Sequence, residues 1–173
     1  MKSFAFPLAE TRLRQPGDDD LVTLLALSNA HEREIGVTSK VAFQDLVAMS
    51  FRARMTASRD AFYISLAEKA PPVAPNHRWF AERFNRFVYI DRMVVAERSR
   101  RTGLGRLLYN DLLNAARCAG HSLLCCEVNV APPNPASDAF HAAFGFREIG
   151  RAHLPDREKT VRYLVLRIAH FAG

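Results

Sequence analysis

A basic turn that contains two glycines is the segment of this sequence best suited to bind a polyanion. Gly103 and Gly105 stand just before a helical pattern, and four arginines surround them: Arg98, Arg100, Arg101 and Arg106. The first amides of a helix have no acceptor within the helix, and the helix dipole places partial positive charge at that end. Glycine also lets the backbone approach a phosphate without a Cβ atom in the way. The segment therefore predicts a turn that binds a diphosphate.

Two other phosphate-binding motifs fit this turn less well. The dinucleotide-binding motif needs a third glycine three residues after the second, where this chain has Leu108, and it follows a strand near the amino terminus. A Walker loop needs Gly-Lys-Ser or Gly-Lys-Thr, and neither occurs in the sequence. The pattern therefore favours neither class of nucleotide-binding protein.

Apolar patterns predict the elements that position this turn. Runs rich in aromatic and β-branched residues predict strands at Phe62–Leu66, Phe87–Val95, Leu123–Val130 and Val161–Ile168. Helical spacing predicts helices that begin near Leu21, cover about Val41–Met55, run from Leu104 to a stop at Gly120, and cover Pro135–Phe144. Loops are predicted at Arg14–Asp19 and Ala70–Asn76. The strand-helix-strand order around the turn predicts a parallel strand pair with its ligand at the carboxyl ends.

Length and composition favour one α/β domain that spans residues 1–173. The chain is 49% apolar, and no apolar run approaches the roughly 20 residues that cross a bilayer. The opening residues lack the long apolar stretch of a secretory signal. We therefore expect a cytoplasmic protein that does not act in a membrane.

The cysteines argue against a disulfide framework and a metal site, whereas the net charge allows a polyanionic partner. Cys118, Cys125 and Cys126 do not fit a disulfide framework, because neighbours on a strand point to opposite faces. Metal-ligand spacings are missing from the sequence, so we expect no metal. The net charge of +6 suits any polyanion. A nucleic-acid-binding module is the rival that this charge allows, but the chain lacks a recognition-helix motif, and we expect no nucleic-acid partner.

The turn and its surroundings resemble the GNAT N-acetyltransferases. The cofactor motif of that family reads Arg/Gln-x-x-Gly-x-Gly/Ala, and Arg100-x-x-Gly103-x-Gly105 matches it. The second signature of the family is an asparagine on the following strand and a short helix that ends in Gly-Phe. Asn129 and the segment Phe140–Phe146 resemble it, and the two signatures together cover about Phe87–Ile149.

The resemblance implies a fold and a cofactor. The fold is α/β, the GNAT acyl-CoA N-acyltransferase fold, with a mixed central sheet flanked by helices and a splayed parallel strand pair at the cofactor. The stretch Glu127–Asp138 is similar to that of a bacterial subgroup of predicted acetyltransferases, which implies no known substrate. Acetyl-CoA is the implied cofactor, with its pantetheine arm along Met93, Val94 and Val95. The other implied contacts are Arg100, Arg101, Thr102, Gly103, Leu104, Gly105, Arg106, Asn129, Ser137 and Asn134, the last also a predicted helix cap.

Direct acetyl transfer needs a neutral amine and a proton for the departing thiolate. A lysine-like amine with a pKa of about 10.4 carries a handicap of about 4.6 kcal/mol at pH 7, which a base or a desolvating pocket must offset. Glu127 and Asp91 are the candidate bases, with a structural hydrogen bond or ion pair as the alternative for each. His141 stands where the family usually places a tyrosine acid, so it is the third catalytic candidate. Its alternative is a structural contact with Asp138.

The acceptor is the least defined part of the prediction. In this family the first helices and late strands commonly line its pocket, which implies Asn29, His31, Glu32 and Trp79. Ordinary packing is the alternative for Trp79, and plain solvation is the alternative for Glu32. We expect the partner to be an amine of a small molecule or a protein, and we leave a homodimer open. A rival function is an acyl-CoA-binding sensor with the same fold and no turnover.

Overall fold

The computed structural model describes residues 12–71, 74–155 and 158–169. The strands are β1 (Leu13–Arg14), β2 (Arg52–Thr56), β3 (Ala61–Ala67), β4 (Phe87–Val95), β5 (Leu123–Ala131), β6 (Arg147–Leu154) and β7 (Lys159–Arg167). The helices are α1 (Asp18–Asn29), α2 (Glu32–Ile35), α3 (Lys40–Ala48), α4 (Pro75–Ala81), α5 (Leu104–Cys118) and α6 (Pro135–Phe144). Among the described helices, none combines the length and the apolar character that a membrane crossing requires.

The strands form one mixed sheet in the order β1-β2-β3-β4-β5-β7-β6. β4 and β5, which α5 connects along the chain, pair in parallel over Phe87–Tyr89 and Leu123–Cys125. β4 then runs on to Val95 and β5 to Ala131, so that the parallel ladder covers only the beginning of each strand. The predicted fold class and its splayed parallel pair are confirmed.

The chain forms two compact units. The first unit comprises the described part of Met1–Ser65 together with Arg92–Leu112, and the second comprises that of Leu66–Asp91 together with Leu113–Gly173. In the core of the first unit, Phe43 meets Phe62 edge to face, with ring centroids 6.1 Å apart. In the core of the second unit, Phe80 packs against Tyr163 and Phe87, at 5.3 and 6.1 Å between ring centroids.

The predicted helix at Val41–Met55 is wrong in its second half. α3 ends at Ala48, and β2 follows at Arg52–Thr56 as an antiparallel partner of β3. Ala53 and Met55 are buried and alternate with half-buried arginines, which is the period of a strand. Arginine, alanine and methionine all favour helices in isolation, but pairing with β3 outweighs that preference.

The two predicted loops are also shorter than expected. Residues 13–14 form β1 and α1 already begins at Asp18, so the predicted loop Arg14–Asp19 is wrong at both ends. The predicted loop Ala70–Asn76 is wrong at its end, because Pro75 opens α4 in the first turn of the helix, where a missing amide proton costs nothing. β6 was not predicted.

The other predicted elements are confirmed to within about three residues, the largest difference being the start of α1 at Asp18 instead of near Leu21. α6 begins after Asn134, whose side-chain oxygen accepts a hydrogen bond from the Ser137 amide at 3.2 Å, as a helix cap does. It ends at Gly145, which has a φ of 101°, a left-handed conformation that glycine adopts without strain.

Candidate active site

In the first unit, the segment between β4 and α5 is tied to the turn between β2 and β3. The Ala96 amide donates to the Asp60 carbonyl at 2.7 Å, and the Ser99 hydroxyl donates to the Asp60 carboxylate at 2.6 Å. Thr102 in turn donates its hydroxyl to the Ser99 carbonyl at 2.6 Å. These bonds hold the basic segment to the rigid hairpin, so its backbone is preorganised before any ligand binds.

The Asp60 carboxylate stays ionised in this position. Burial raises its pKa, but the hydroxyl donors of Ser58, Ser99 and Thr56 outweigh burial and hold the pKa below the ordinary value for an aspartate. A carboxylate that accepts several hydrogen bonds is a strong anchor because it can satisfy several donors at once. Asp60 was missed in the sequence, where nothing but its place in a turn distinguishes it.

The backbone of the turn fits a diphosphate. Arg101 and Gly103 have φ angles of 62° and 90°, and Gly103 accepts the first bond of α5 from the Leu107 amide at 3.0 Å. Residues in this left-handed conformation turn neighbouring amides toward one side, which forms a concave site for an anion. The amides at the start of the 15-residue α5 add to it. A left-handed arginine costs on the order of 1 kcal/mol, a strain that is typical of ligand-binding turns.

The charge around the turn also fits a diphosphate. Arg98, Arg100, Arg101 and Arg106 are all exposed. Arg100 lies 3.8 Å from Glu97, a surface pair that contributes little to stability and can rearrange. At the end of β4, Met93 and Val95 remain half-buried while Val94 between them is buried. Leu104 is buried as the first residue of α5, and Thr102 is exposed beside it.

In the second unit, Glu127 is a half-buried carboxyl group on β5 that accepts a hydrogen bond from the Tyr89 hydroxyl at 2.8 Å. Burial first, and then the nearby negative charge of Asp91, raise the pKa of Glu127, which lies at about 7. Hydrogen bonds from Tyr89 and Asn76 lower it in part. A carboxyl group with this pKa exchanges protons readily near neutral pH.

Tyr89 and Asp91 accompany Glu127 from β4. Burial raises the pKa of Tyr89 well above its ordinary value, so the phenol stays protonated and donates. Asp91 is half-buried and acts on both groups through its charge. Glu127 and Asp91, two of the three catalytic candidates, therefore lie close enough to influence each other within one unit.

His141, the third catalytic candidate, is buried on α6. Its Nδ1 atom lies 2.7 Å from the Ser137 carbonyl and 3.1 Å from the Ser137 hydroxyl. Because a carbonyl only accepts, Nδ1 carries the proton and Nε2 is the basic nitrogen. Burial lowers the pKa of His141, while the Ser137 carbonyl raises it in part. The ring is therefore neutral at pH 7 and is suited to accept a proton. Asp138, its alternative partner, instead forms an ion pair with Arg162.

Three further predicted cofactor contacts lie in this unit. Asn129 is buried on β5. Asn134 caps α6 through Ser137, so its side-chain oxygen already has a partner. Ser137 itself is half-buried and supports His141.

The predicted acceptor residues are distributed over both units. In the first unit, Asn29 exchanges two hydrogen bonds with the backbone of Thr38, at 3.0 and 3.1 Å. His31 contacts the Leu27 carbonyl at 2.9 Å, and Glu32 is exposed at the start of α2. Asn29 therefore closes a loop in addition to any role in binding.

Trp79, in the second unit, has both ring faces covered. Tyr163 stacks on it with ring centroids 4.1 Å apart, and the Arg83 guanidinium lies 3.9 Å from the ring centroid. A Cβ atom added at Gly150 would lie 2.8 Å from Trp79, so the indole edge packs on that glycine. The contacts favour the packing role that the sequence left open, because they leave no ring face for a ligand.

The sequence did not single out Asn76, Tyr89 or Tyr163 as parts of the site. The only signal was a tyrosine on each of two apolar strands and an asparagine in a predicted loop. Cys118, Cys125 and Cys126 are free thiols. Within residues 12–71, 74–155 and 158–169, no three His, Cys, Asp or Glu side chains are grouped to hold a metal ion.

Comparisons with known proteins concern the fold and one segment of the sequence. The acetyltransferase (GNAT) family model matches residues 70–146. The ribosomal-protein-S18-alanine N-acetyltransferase from Escherichia coli is 19% identical over 94% of this chain and 96% of that chain, with a TM-score of 0.67. Ard1 from Thermoplasma volcanium is 16% identical over 92% and 98%, with a TM-score of 0.71. The NatC complex bound to Gag peptide and CoA is 13% identical over 92% and 99%, with a TM-score of 0.71. No curated protein sequence matches the chain.

Over residues 70–146, which are less than half of the chain, the sequence is therefore similar to the acetyltransferase (GNAT) family. The solved structures share its fold, and the family match includes the basic turn, β5 and α6.

Proposed function

We propose that this chain moves the acetyl group of acetyl-CoA directly onto an amine of a small molecule or a protein, with Glu127 as the general base. The observation that carries the proposal is a half-buried carboxyl group with a pKa raised to about 7 by burial. At neutral pH such a group is present in both protonation states, which is the condition for efficient proton transfer. An ordinary glutamate, with a pKa near 4.5, is a much weaker base.

The charges of this site suit an amine that arrives protonated. Glu127 and Asp91 attract an ammonium group, and Glu127 accepts its proton directly or through one water molecule. Bound acetyl-CoA supplies the thioester carbonyl and the thiol leaving group. Tyr89 holds the Glu127 carboxyl in place through its 2.8 Å hydrogen bond.

We propose a proton-transfer role for His141 as well. Its basic Nε2 atom can accept a proton in one step and return it in another, which a tyrosine of ordinary pKa does less readily near pH 7. The hydrogen bonds from Nδ1 to Ser137 fix the ring orientation and the tautomer. Asp91 is kept as a second candidate base beside Glu127.

The remaining predicted residues complete the proposal. The cofactor is proposed to contact Met93, Val94, Val95, the turn from Arg100 to Arg106, Asn129, Asn134 and Ser137. The acceptor is proposed to approach Asn29, His31, Glu32 and Trp79. We further propose a single cytoplasmic domain over residues 1–173 that acts without metal, membrane or nucleic acid, either alone or as a homodimer.

A second candidate function is an acyl-CoA-binding sensor with no turnover. The observation that favours it is His141, a neutral histidine at the position where the resemblance implies a tyrosine acid. Binding of acetyl-CoA is expected under both functions, so only turnover separates them.

The test is release of the coenzyme A thiol with a broad panel of amines, with the acetylated product identified by mass spectrometry. We expect turnover with at least one amine, and we expect Glu127→Gln to reduce kcat/KM by about 10²–10⁴-fold. Glu82→Gln, a change of an exposed carboxylate on the same unit, is the matched control and should leave the rate unchanged. Full activity of Glu127→Gln contradicts the role of Glu127, and tight cofactor binding without turnover on any amine favours the sensor.

A further inference from the structure

The Glu127 carboxyl group is supported from α4 and β7 as well as from β4. We propose that Asn76 and Tyr163 are positioning residues that orient the Glu127 carboxyl group from α4 and β7. This inference rests on the proposed function of Glu127 as the base. Neither residue belongs to the predicted catalytic, cofactor or acceptor sets.

The geometry forms a chain of hydrogen bonds inside the second unit. The Tyr163 hydroxyl donates to the side-chain oxygen of Asn76 at 3.1 Å, and both residues are buried, with Asn76 2% and Tyr163 1% exposed. Asn76 in turn acts on Glu127 as a donor that lowers the pKa of the carboxyl group. A carboxylate can only accept, so the NH₂ end of Asn76 must face Glu127 and its oxygen must face Tyr163. The partners on either side therefore define one orientation of the amide.

The elements that carry these residues hold them firmly. Tyr163 is the direct cross-strand partner of Glu127 in the β5–β7 pair, so the two side chains lie on the same face of the sheet. The Tyr163 ring also stacks on Trp79 of α4, and this contact holds α4 against β7. Asn76 lies in the first turn of that helix, next to Pro75. The helix between β3 and β4 thus brings an amide donor to a carboxylate on β5.

The other ionisable groups around Glu127 determine how large a rise in its pKa Asn76 must offset. Asp91 on β4 raises the pKa of Glu127 by its negative charge, in the same direction as burial. Tyr89 and Tyr163 are neutral phenols with raised pKa values, and Cys126 beside Glu127 is a thiol whose pKa burial also raises. Two other ionisable side chains lie close to these phenols, His77 against the Tyr89 ring and Arg83 beside Tyr163.

Among these neighbours, Asn76 and Tyr89 are the groups that favour the charged form of Glu127 through hydrogen bonds. Without the Asn76 donor, burial and Asp91 would raise the pKa of the carboxyl group further. The base would then be protonated at neutral pH, and it could not accept a proton from the amine.

The test is a titration of Glu127 in the full chain by NMR of protein labelled with ¹³C in its glutamate carboxyl groups. Glu127→Gln identifies the resonance because its signal disappears. Asn76→Leu removes the donor at similar volume, and we expect the titration midpoint of Glu127 to move up by about one pH unit, the worth of one hydrogen bond to a charged group. The acid limb of kcat/KM should move up by the same amount, which a purely structural role would not produce.

Two further variants keep the test decisive. Tyr163→Phe removes only a hydroxyl and should move the midpoint upward by less, because it acts through Asn76. If Asn76→Leu does not fold, the midpoint of Tyr163→Phe alone tests the inference. Asn85→Leu, at an exposed asparagine of the same unit, is the control and should leave the midpoint unchanged. Unchanged midpoints in folded Asn76→Leu and Tyr163→Phe overturn the inference, whereas full turnover of Glu127→Gln overturns the proposed base and leaves the titration result standing.

Discussion

The proposed diphosphate site makes a prediction about charge at Gly103. We expect Gly103→Asp to weaken binding of acetyl-CoA far more than Gly103→Asn does. Both variants place a side chain at a residue with a φ of 90°, and both residues tolerate left-handed backbone better than other types, so their backbone costs are similar. They have nearly the same shape and differ by one negative charge. The difference between them therefore isolates the electrostatic effect of that charge on a bound anion.

The expected size follows from the position of the turn. A unit charge about 4 Å from one phosphate charge is unfavourable by about 1 kcal/mol in bulk water and about 4 kcal/mol at the effective dielectric of a protein surface. The turn is exposed at Arg101 and Thr102, so we take the lower part of this range, about 1–3 kcal/mol, or roughly 5- to 150-fold in Kd. Titration calorimetry at low and high ionic strength measures the ratio of the two Kd values. This ratio should be smaller at high ionic strength. Equal Kd values for the two folded variants would refute a diphosphate at this turn.

Two other predictions concern stability. Gly150→Ala should lower the free energy of unfolding by about 1–3 kcal/mol, because its Cβ would lie 2.8 Å from a Trp79 ring that is covered on both faces. Urea unfolding measures this loss, and an unchanged free energy of unfolding would contradict the contact. Glu127 binds its proton more tightly in the folded state, with a pKa of about 7 against an ordinary 4.5, so it lowers stability as the pH rises through that window. Glu127→Gln should therefore be more stable than the parent above pH 7, by up to about 3 kcal/mol, and the advantage should vanish at acid pH. An advantage that is the same at every pH would contradict the raised pKa.

The sequence predicted the parts of this molecule that local pattern determines. The strand before the basic turn, the long helix after it and the capped helix at Asn134 all follow from apolar period, glycine and proline placement. β2 could not be separated from α3 in this way, since Arg52 to Met55 are good helix formers that become a strand only through pairing with β3.

The candidate site was predictable only in part. The diphosphate turn is a local feature, and its residues were predicted together from consecutive positions. The support of Glu127 depends on contacts between distant segments, since Asn76 and Tyr163 belong to α4 and β7. The pKa of Glu127 is a sum of burial, one like charge and two donors, and no local pattern in the sequence reports that sum.

The most direct test of the account is the pH dependence of kcat/KM with a reactive amine in the parent protein and in Glu127→Gln. The account predicts an acid limb in the parent with an apparent pKa near 7, and a variant that is slower by at least about 100-fold and lacks that limb. A variant that keeps both the rate and the acid limb of the parent would contradict proton removal by Glu127.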